Sequence, residues 1–178
     1  MSLSTEKVAE QESKKTSGFL EDLEHLRQVP LLRGLDYECL KILAMLGRRI
    51  TFVTGDQLMI QGEDDGHAFL ILSGRLNGIY TQGDTEQIIG QYGAGSFVGG
   101  CALLGSMPRL FTLQATEETM TLRLSREEFR KTVQQFPAAI TKISANLVTE
   151  LAEWDKSLLN IQNTERMVDY HALGVSFL

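Results

Sequence analysis

From Ile50 to Leu124 the chain is written as short runs rich in β-branched and aromatic residues, most of them closed by glycine. The runs read RITFVTGD, QLMIQGEDDG, HAFLILSG, RLNGIYTQGD and TEQIIGQYGAGS, and further on LFTLQATEET and MTLRLSR. Most of the chain's 16 glycines fall in this stretch. A long helix does not tolerate a breaker at such intervals, whereas short strands joined by tight turns require one. The pattern predicts about eight antiparallel strands in a sandwich or barrel. TQGDT, with Gly83 and Asp84 between two strand-like runs, predicts a hairpin. One segment departs from the pattern: GGCALLG is small, apolar and short, and predicts a single helical turn.

Helical patterns flank the strands. Phe19, Leu20, Leu23 and Leu26 have the spacing of a short helix, which Pro30 ends and Gly34 punctuates. Asp36 is the expected N-cap of YECLKILAMLGRR, with Leu40, Leu43, Ala44 and Leu46 on the buried side and Gly47 at the end. Ser125 and Glu128 form a capping box ahead of REEFRKTVQQF, and Pro137 opens a long helix to about Val168. Along that helix Ile140, Leu147, Trp154, Ile161 and Val168 recur every seventh position, with Leu151 and Leu158 between them. Such a seam packs against a partner helix, here of a second copy, or lies across the chain's own strands. The expected organisation is a mobile tail over 1–17, a strand-rich domain with flanking helices over 18–136, a dimerisation helix over 137–168 and a second tail over 169–178.

Charge and composition exclude several functions. With 23 acidic against 17 basic residues and a net charge of −6, the chain is not expected to grip nucleic acid through its own surface. Cys39 and Cys101 are isolated, no C-x-x-C occurs, and His25, His67 and His171 lie far from both, so two reduced thiols and no metal site are expected. No apolar run approaches the ~18 residues of a membrane helix, and MSLSTEKVAEQESKK lacks the layout of a signal peptide, so a cytoplasmic location without a membrane partner is expected. No nucleophile–base motif, HExxH or phosphate-cradling Walker loop is present, so the chain is expected not to be an enzyme.

The stretch FVGGCALLGSMPRLFT carries the chemistry that remains. A helical turn that follows Gly99-Gly100 presents free backbone N–H groups at its start, and glycine lets an anion approach them. Arg109 adds a planar, permanently charged fork suited to a phosphate. Two kinds of partner fit this arginine, an anionic ligand or a salt bridge to Glu63, Asp64 or Asp65 brought near by the fold.

Gly55 to Gly74, GDQLMIQGEDDGHAFLILSG, resembles the signature of the cyclic nucleotide-binding domain, the family of the catabolite activator, the kinase regulatory subunits and the cyclic nucleotide-gated channels. Gly55, Gly62 and Gly74 occupy its turn positions and Phe69-Leu70-Ile71-Leu72 its central strand. FVGGCALLGSMPRLFT is similar to that family's phosphate-binding cassette, and the likeness extends over roughly Leu26 to Leu159. It implies a jelly-roll-like β-roll, mainly β with flanking helices. It also implies cAMP or cGMP as ligand, with no other cofactor, at Phe97, Gly99, Gly100, Cys101, Ala102, Pro108, Arg109, Leu110 and Thr112. The cassette departs from the family at Gly100, where a glutamate usually accepts from the ribose 2′-hydroxyl. A missing acceptor costs ~1–3 kcal/mol, about ten- to a hundredfold in affinity. Leu110 replaces the small residue usual after the arginine, while Thr112 stands where the kinase-type domains have their small residue. The resemblance implies a sensor that transmits occupation by moving its C-terminal helices, either as a stand-alone module or as a piece of a larger polypeptide. NTERMVDYHALGVSFL is not basic and lacks helix-turn-helix spacing, so direct DNA contact is not expected. The alternative is a ligand-free dimerising scaffold.

Overall fold

The computed structural model describes residues 17–161, with the side chains of 154, 155 and 157–161 left out. The expected tails and the Val168 end of the seam lie outside the described residues. Helix α1 runs over 17–28 and a 3-10 turn over Pro30–Leu32. Helix α2 follows at Tyr37–Leu46. Then come strands β1 (Arg48–Phe52), β2 (Gln57–Met59), β3 (His67–Ser73), β4 (Arg75–Gln82), β5 (Thr85–Gly93) and β6 (Phe97–Val98). A one-turn helix α3 (Gly100–Leu104) interrupts them before β7 (Thr112–Ala115) and β8 (Thr119–Ser125). Helices α4 (Arg126–Val133) and α5 (Pro137–Ile161) complete the described chain.

The strands form two four-stranded antiparallel sheets, β1-β8-β3-β6 and β2-β7-β4-β5. The run FLIL of β3 is apolar throughout because both of its faces are covered. Phe69 and Ile71 face the second sheet, where they meet Leu76, Tyr92, Phe111 and Leu113. Ala68 and Leu70 face the helices and meet Leu26, Leu43, Phe97 and Phe129. Burying each large side chain in these two clusters contributes roughly 1.5–3 kcal/mol. Gly83-Asp84 closes the β4–β5 hairpin as expected, with Gln82 opposite Thr85 and Gly83 at a φ of 60°. Gly55, Gly62 and Gly74 all hold the left-handed conformation that their turn positions demand.

Local expectations differ from the structure in four places. Asp36 sits at the N-cap position of α2 without capping it. Its carboxylate instead accepts from Lys142 of α5 at 2.9 Å. Leu46 is 37% exposed, and the inward positions of α2 are Cys39, Leu40, Leu43 and Ala44. The Ser125–Glu128 box is half formed: the hydroxyl accepts from Glu128 N, but the glutamate accepts from that hydroxyl rather than from the Ser125 amide. Helix α4 also ends earlier than expected, at Val133 with Gln134 as its C-cap. Strand β6 is only two residues long and shows no alternation from which to predict it.

Helix α5 has two apolar sides. Ala139 and Ile143 are buried against the roll, and Leu147 packs beside them. Ile140, Val148 and Leu151 face outward, with exposures of 50%, 64% and 37%. Asn146 Nδ2 fastens α5 to the 3-10 turn by donating to the carbonyls of Leu31 and Arg33.

Candidate functional site

Arg109 is only 6% exposed, which for a guanidinium requires a partner. Its Nε donates to Asp65 Oδ2 at 3.0 Å. Its Nη2 donates to Asp65 Oδ1 and to the His67 carbonyl. The backbone reinforces this placement: Arg109 N donates to Glu63 O at 2.8 Å and Gly62 N to Arg109 O at 2.7 Å. The arginine is thus clamped along one edge by the loop between β2 and β3. Of the three candidate acids, Asp65 is the partner.

The other edge is aimed at the cassette. No described protein group accepts from Nη1, and a Cβ added to Gly99 would collide with that nitrogen and lie 2.9 Å from the His67 carbonyl. Gly99 also holds φ 75°, ψ 19°, so its place at the head of α3 demands glycine twice over, for conformation and for room. Ala102 N donates to Gly99 O at 3.0 Å. The amides of Gly100 and Cys101, which open the turn, are left with no carbonyl of the turn to receive them.

Gly99, Cys101, Ala102, Pro108, Arg109 and Leu110 surround a small cavity, together with Met59, Met107 and Phe111. Its volume is about 10 Å³, which admits a single water. Three of the expected site residues, Phe97, Gly100 and Thr112, stand outside that lining. Phe97 is buried in the helix-side core. Gly100 faces the same way: a Cβ there would meet Leu31 Cδ2 at 2.9 Å and the Phe97 ring at 3.0 Å. Thr112 Oγ1 accepts from Gln61 N at 3.1 Å. Leu110 is 41% exposed at the cavity's edge. Met59, Phe111 and the His67 carbonyl were not expected there. Their contributions are an apolar wall and a backbone oxygen, neither of which leaves a motif.

Nearby titratable groups are shifted mainly by burial. Burial, then Arg123, lowers the His67 pKa, with Asp65 opposing, so its ring is neutral at physiological pH. Burial raises the Cys101 thiol, which favours its protonated, unreactive form. Both cysteines are free, and among the described residues no cluster of His, Cys, Asp and Glu could hold a metal ion. Among the described residues no helix is long and apolar enough to cross a membrane.

Comparison with known proteins agrees with the fold. The family model "Cyclic nucleotide-binding domain" matches residues 49–136. Neuropathy target esterase sws of Drosophila persimilis is 28% identical over 118 residues, 66% of this chain but only 8% of the esterase. Among solved structures, a cyclic nucleotide-binding-like protein from Brucella abortus superposes with a TM-score of 0.60 at 27% identity, covering 64% of this chain and 98% of that one. The catabolite activator protein of Thermus thermophilus gives 0.61 at 26% identity, covering 75% of this chain and 63% of that protein. The two-sheet roll, its flanking helices and the match over 49–136 together place this chain in the cyclic nucleotide-binding domain family.

Proposed function

We propose that the chain is a non-enzymatic regulatory module that binds cAMP or cGMP beside Arg109 and reports occupation through α4 and α5. The observation that carries this reading is the division of labour on Arg109. Asp65 and the His67 carbonyl occupy Nε and Nη2, while Nη1 lies against Gly99 with no acceptor among the described residues. A cyclic phosphodiester accepts from Nη1 and from the amides at the head of α3, and Asp65 stays in place. Asp65 also offsets the arginine's charge, and Gly100 supplies no carboxylate for the sugar, so the affinity expected is modest.

The cavity of about 10 Å³ is far smaller than a nucleotide, so entry moves α3 outward. Because Leu31 rests on Gly100 and Asn146 of α5 holds the Leu31 carbonyl, that movement disturbs α5 as well. The outward stripe Ile140, Val148 and Leu151 supports the reading of α5 as the contact with a second copy. Val148→Asp is expected to convert a dimer to a monomer in sedimentation equilibrium, and a monomeric parent refutes that contact. The esterase's own activity lies in a protein of which this chain spans 8%, and we assign none of it here.

Calorimetry with cAMP and cGMP tests the ligand reading. Saturable heat with either one, lost in a folded Arg109→Ala variant, is expected. The second reading is a ligand-free scaffold, favoured by the small cavity and the Asp65 clamp. Absence of heat with both nucleotides, together with an intact dimer, selects it.

A further inference from the structure

Asp64 and Asp65 are adjacent in sequence but hold different arginines. Asp65 holds Arg109 of the site. Asp64 pairs with Arg126, the first residue of α4, accepting from Nη1 at 3.2 Å and from Nη2. The same carboxylate accepts from Ser106 Oγ at 2.6 Å and from the backbone of Met107, the two residues that lead from α3 to Pro108. Arg126 in turn directs Nε onto the Ala102 carbonyl inside α3. Its own amide donates to Gly66 O at 2.7 Å, and its guanidinium lies over Gly66. One ion pair therefore fastens the cassette turn at Ala102 and again at Ser106–Met107, and joins both points to the start of α4. The guanidinium spreads these bonds over Nε, Nη1 and Nη2, whereas a lysine would have to make them all from one nitrogen. Arg126 first and Ser106 second hold the Asp64 carboxyl well below the usual carboxylate range, so the pair remains charged through the physiological range.

We propose that Asp64 and Arg126 are positioning residues for the Arg109 site, fixing α3 against α4 so that the cassette opens only together with the first turn of α4. Its meaning for a nucleotide rests on the reading above, but the clamp exists without ligand. Helix α3 forms one wall of the cavity, and any outward swing of that turn either breaks the bonds from Arg126 to Ala102 and Asp64 or carries α4 along.

Amide hydrogen exchange of the full chain, without ligand, tests the clamp. In the parent, the amides of Leu103–Gly105 and of Phe129–Arg130 are expected to exchange through one common opening. Arg126→Gln or Asp64→Asn is expected to lower protection in α3 about tenfold, the effect of losing one charged hydrogen bond, and to uncouple it from α4. The double variant adds little to either single one, and Arg126→Lys restores α3 protection only in part. Asp64 is a surface-loop carboxylate, so Asp64→Asn keeps the test available if Arg126→Gln fails to fold. Unchanged α3 protection in both single variants, full rescue by lysine, or additive effects in the double variant overturns the proposal. Calorimetry adds a separate readout: Arg126→Gln weakens cyclic nucleotide binding several-fold, whereas Arg109→Ala abolishes it. If the parent itself takes up no nucleotide, the ligand reading falls while the exchange result still decides the clamp.

Discussion

Replacing Gly99 by alanine should damage the protein far more than the same change at Gly55, although both glycines have positive φ. At Gly55 an added Cβ meets nothing within 4 Å, so Gly55→Ala measures conformational strain alone, about 1–2 kcal/mol. At Gly99 the same strain applies, and the Cβ also strikes Arg109 Nη1, comes to 2.9 Å from the His67 carbonyl and lies 3.2 Å from Arg109 Cζ. Relieving that contact means pulling the guanidinium off Asp65 or the carbonyl, a further 1.5–3 kcal/mol or so for a charged hydrogen bond. The total is about 2.5–5 kcal/mol. For a domain of this size each kcal/mol moves the midpoint by about 2–4 °C. Gly99→Ala should therefore melt roughly 5–20 °C below the parent, and Gly55→Ala roughly 2–8 °C below it. Urea unfolding monitored by circular dichroism supplies the free energies. In an Arg109→Ala background the excess cost at Gly99 should shrink, because the side chain in the way is gone. Equal costs at Gly55 and Gly99 would refute the placement of Arg109 against the head of α3.

Three further outcomes follow from the packing and the titrating groups. Gly100→Glu would push a carboxylate against Leu31 and Phe97, so urea unfolding should show a loss of roughly 2 kcal/mol or more and calorimetry no gain in nucleotide affinity; tighter binding at unchanged stability contradicts this. Glu150 in α5 is 7% exposed, and burial, then Glu153, raises its pKa above 4.5. Its neutral form suits the fold, so its contribution is present below about pH 4.5 and lost as pH rises through the folded value. Glu150→Gln should then raise the midpoint at pH 7 by roughly 2–4 °C and lose that advantage below pH 4.5; no gain at pH 7 contradicts it. His67 has a pKa below 6.5, so in the window beneath 6.5 the unfolded chain binds more protons than the native one and stability falls with acidification. His67→Gln should flatten the dependence of urea stability on pH between 7.5 and 5.5, and an unchanged slope counts against the assignment.

Much of the fold was legible because glycine and alternation carry strong local meaning. Gly55, Gly62, Gly74 and Gly83 each fall where the backbone needs a positive φ, and the hairpin at Gly83-Asp84 could be read from those two residues and their flanks. The helical turn in GGCALLG was legible for the same reason. Asp36 illustrates the limit: it has the residue type of an N-cap, but its choice of Lys142 over its own helix depends on α5 coming to rest beside it. The α5 seam was half legible, since periodicity marks an apolar stripe without saying which side the roll takes. Ala139 and Ile143 face inward, while Ile140 and Val148 do not. At the site, Arg109 and Gly99 were identifiable from their neighbours, and Asp65 was one of three candidate acids until the loop geometry chose it. Gly100 reads differently in three dimensions, as the seat of Leu31 rather than only as a lost carboxylate. Arg126 left no trace in sequence, because its partners Asp64 and Ala102 are 62 and 24 residues away.

The central claim, that the free edge of Arg109 and the head of α3 receive a cyclic phosphodiester, is tested most directly by a nuclear magnetic resonance titration with cAMP and cGMP. The account predicts saturable shifts at the Arg109 side-chain N–H and at the amides of Gly100 and Cys101, absent in a folded Arg109→Ala variant. Saturable shifts confined to other parts of the roll, or none at Arg109 and α3 at millimolar nucleotide, would contradict it.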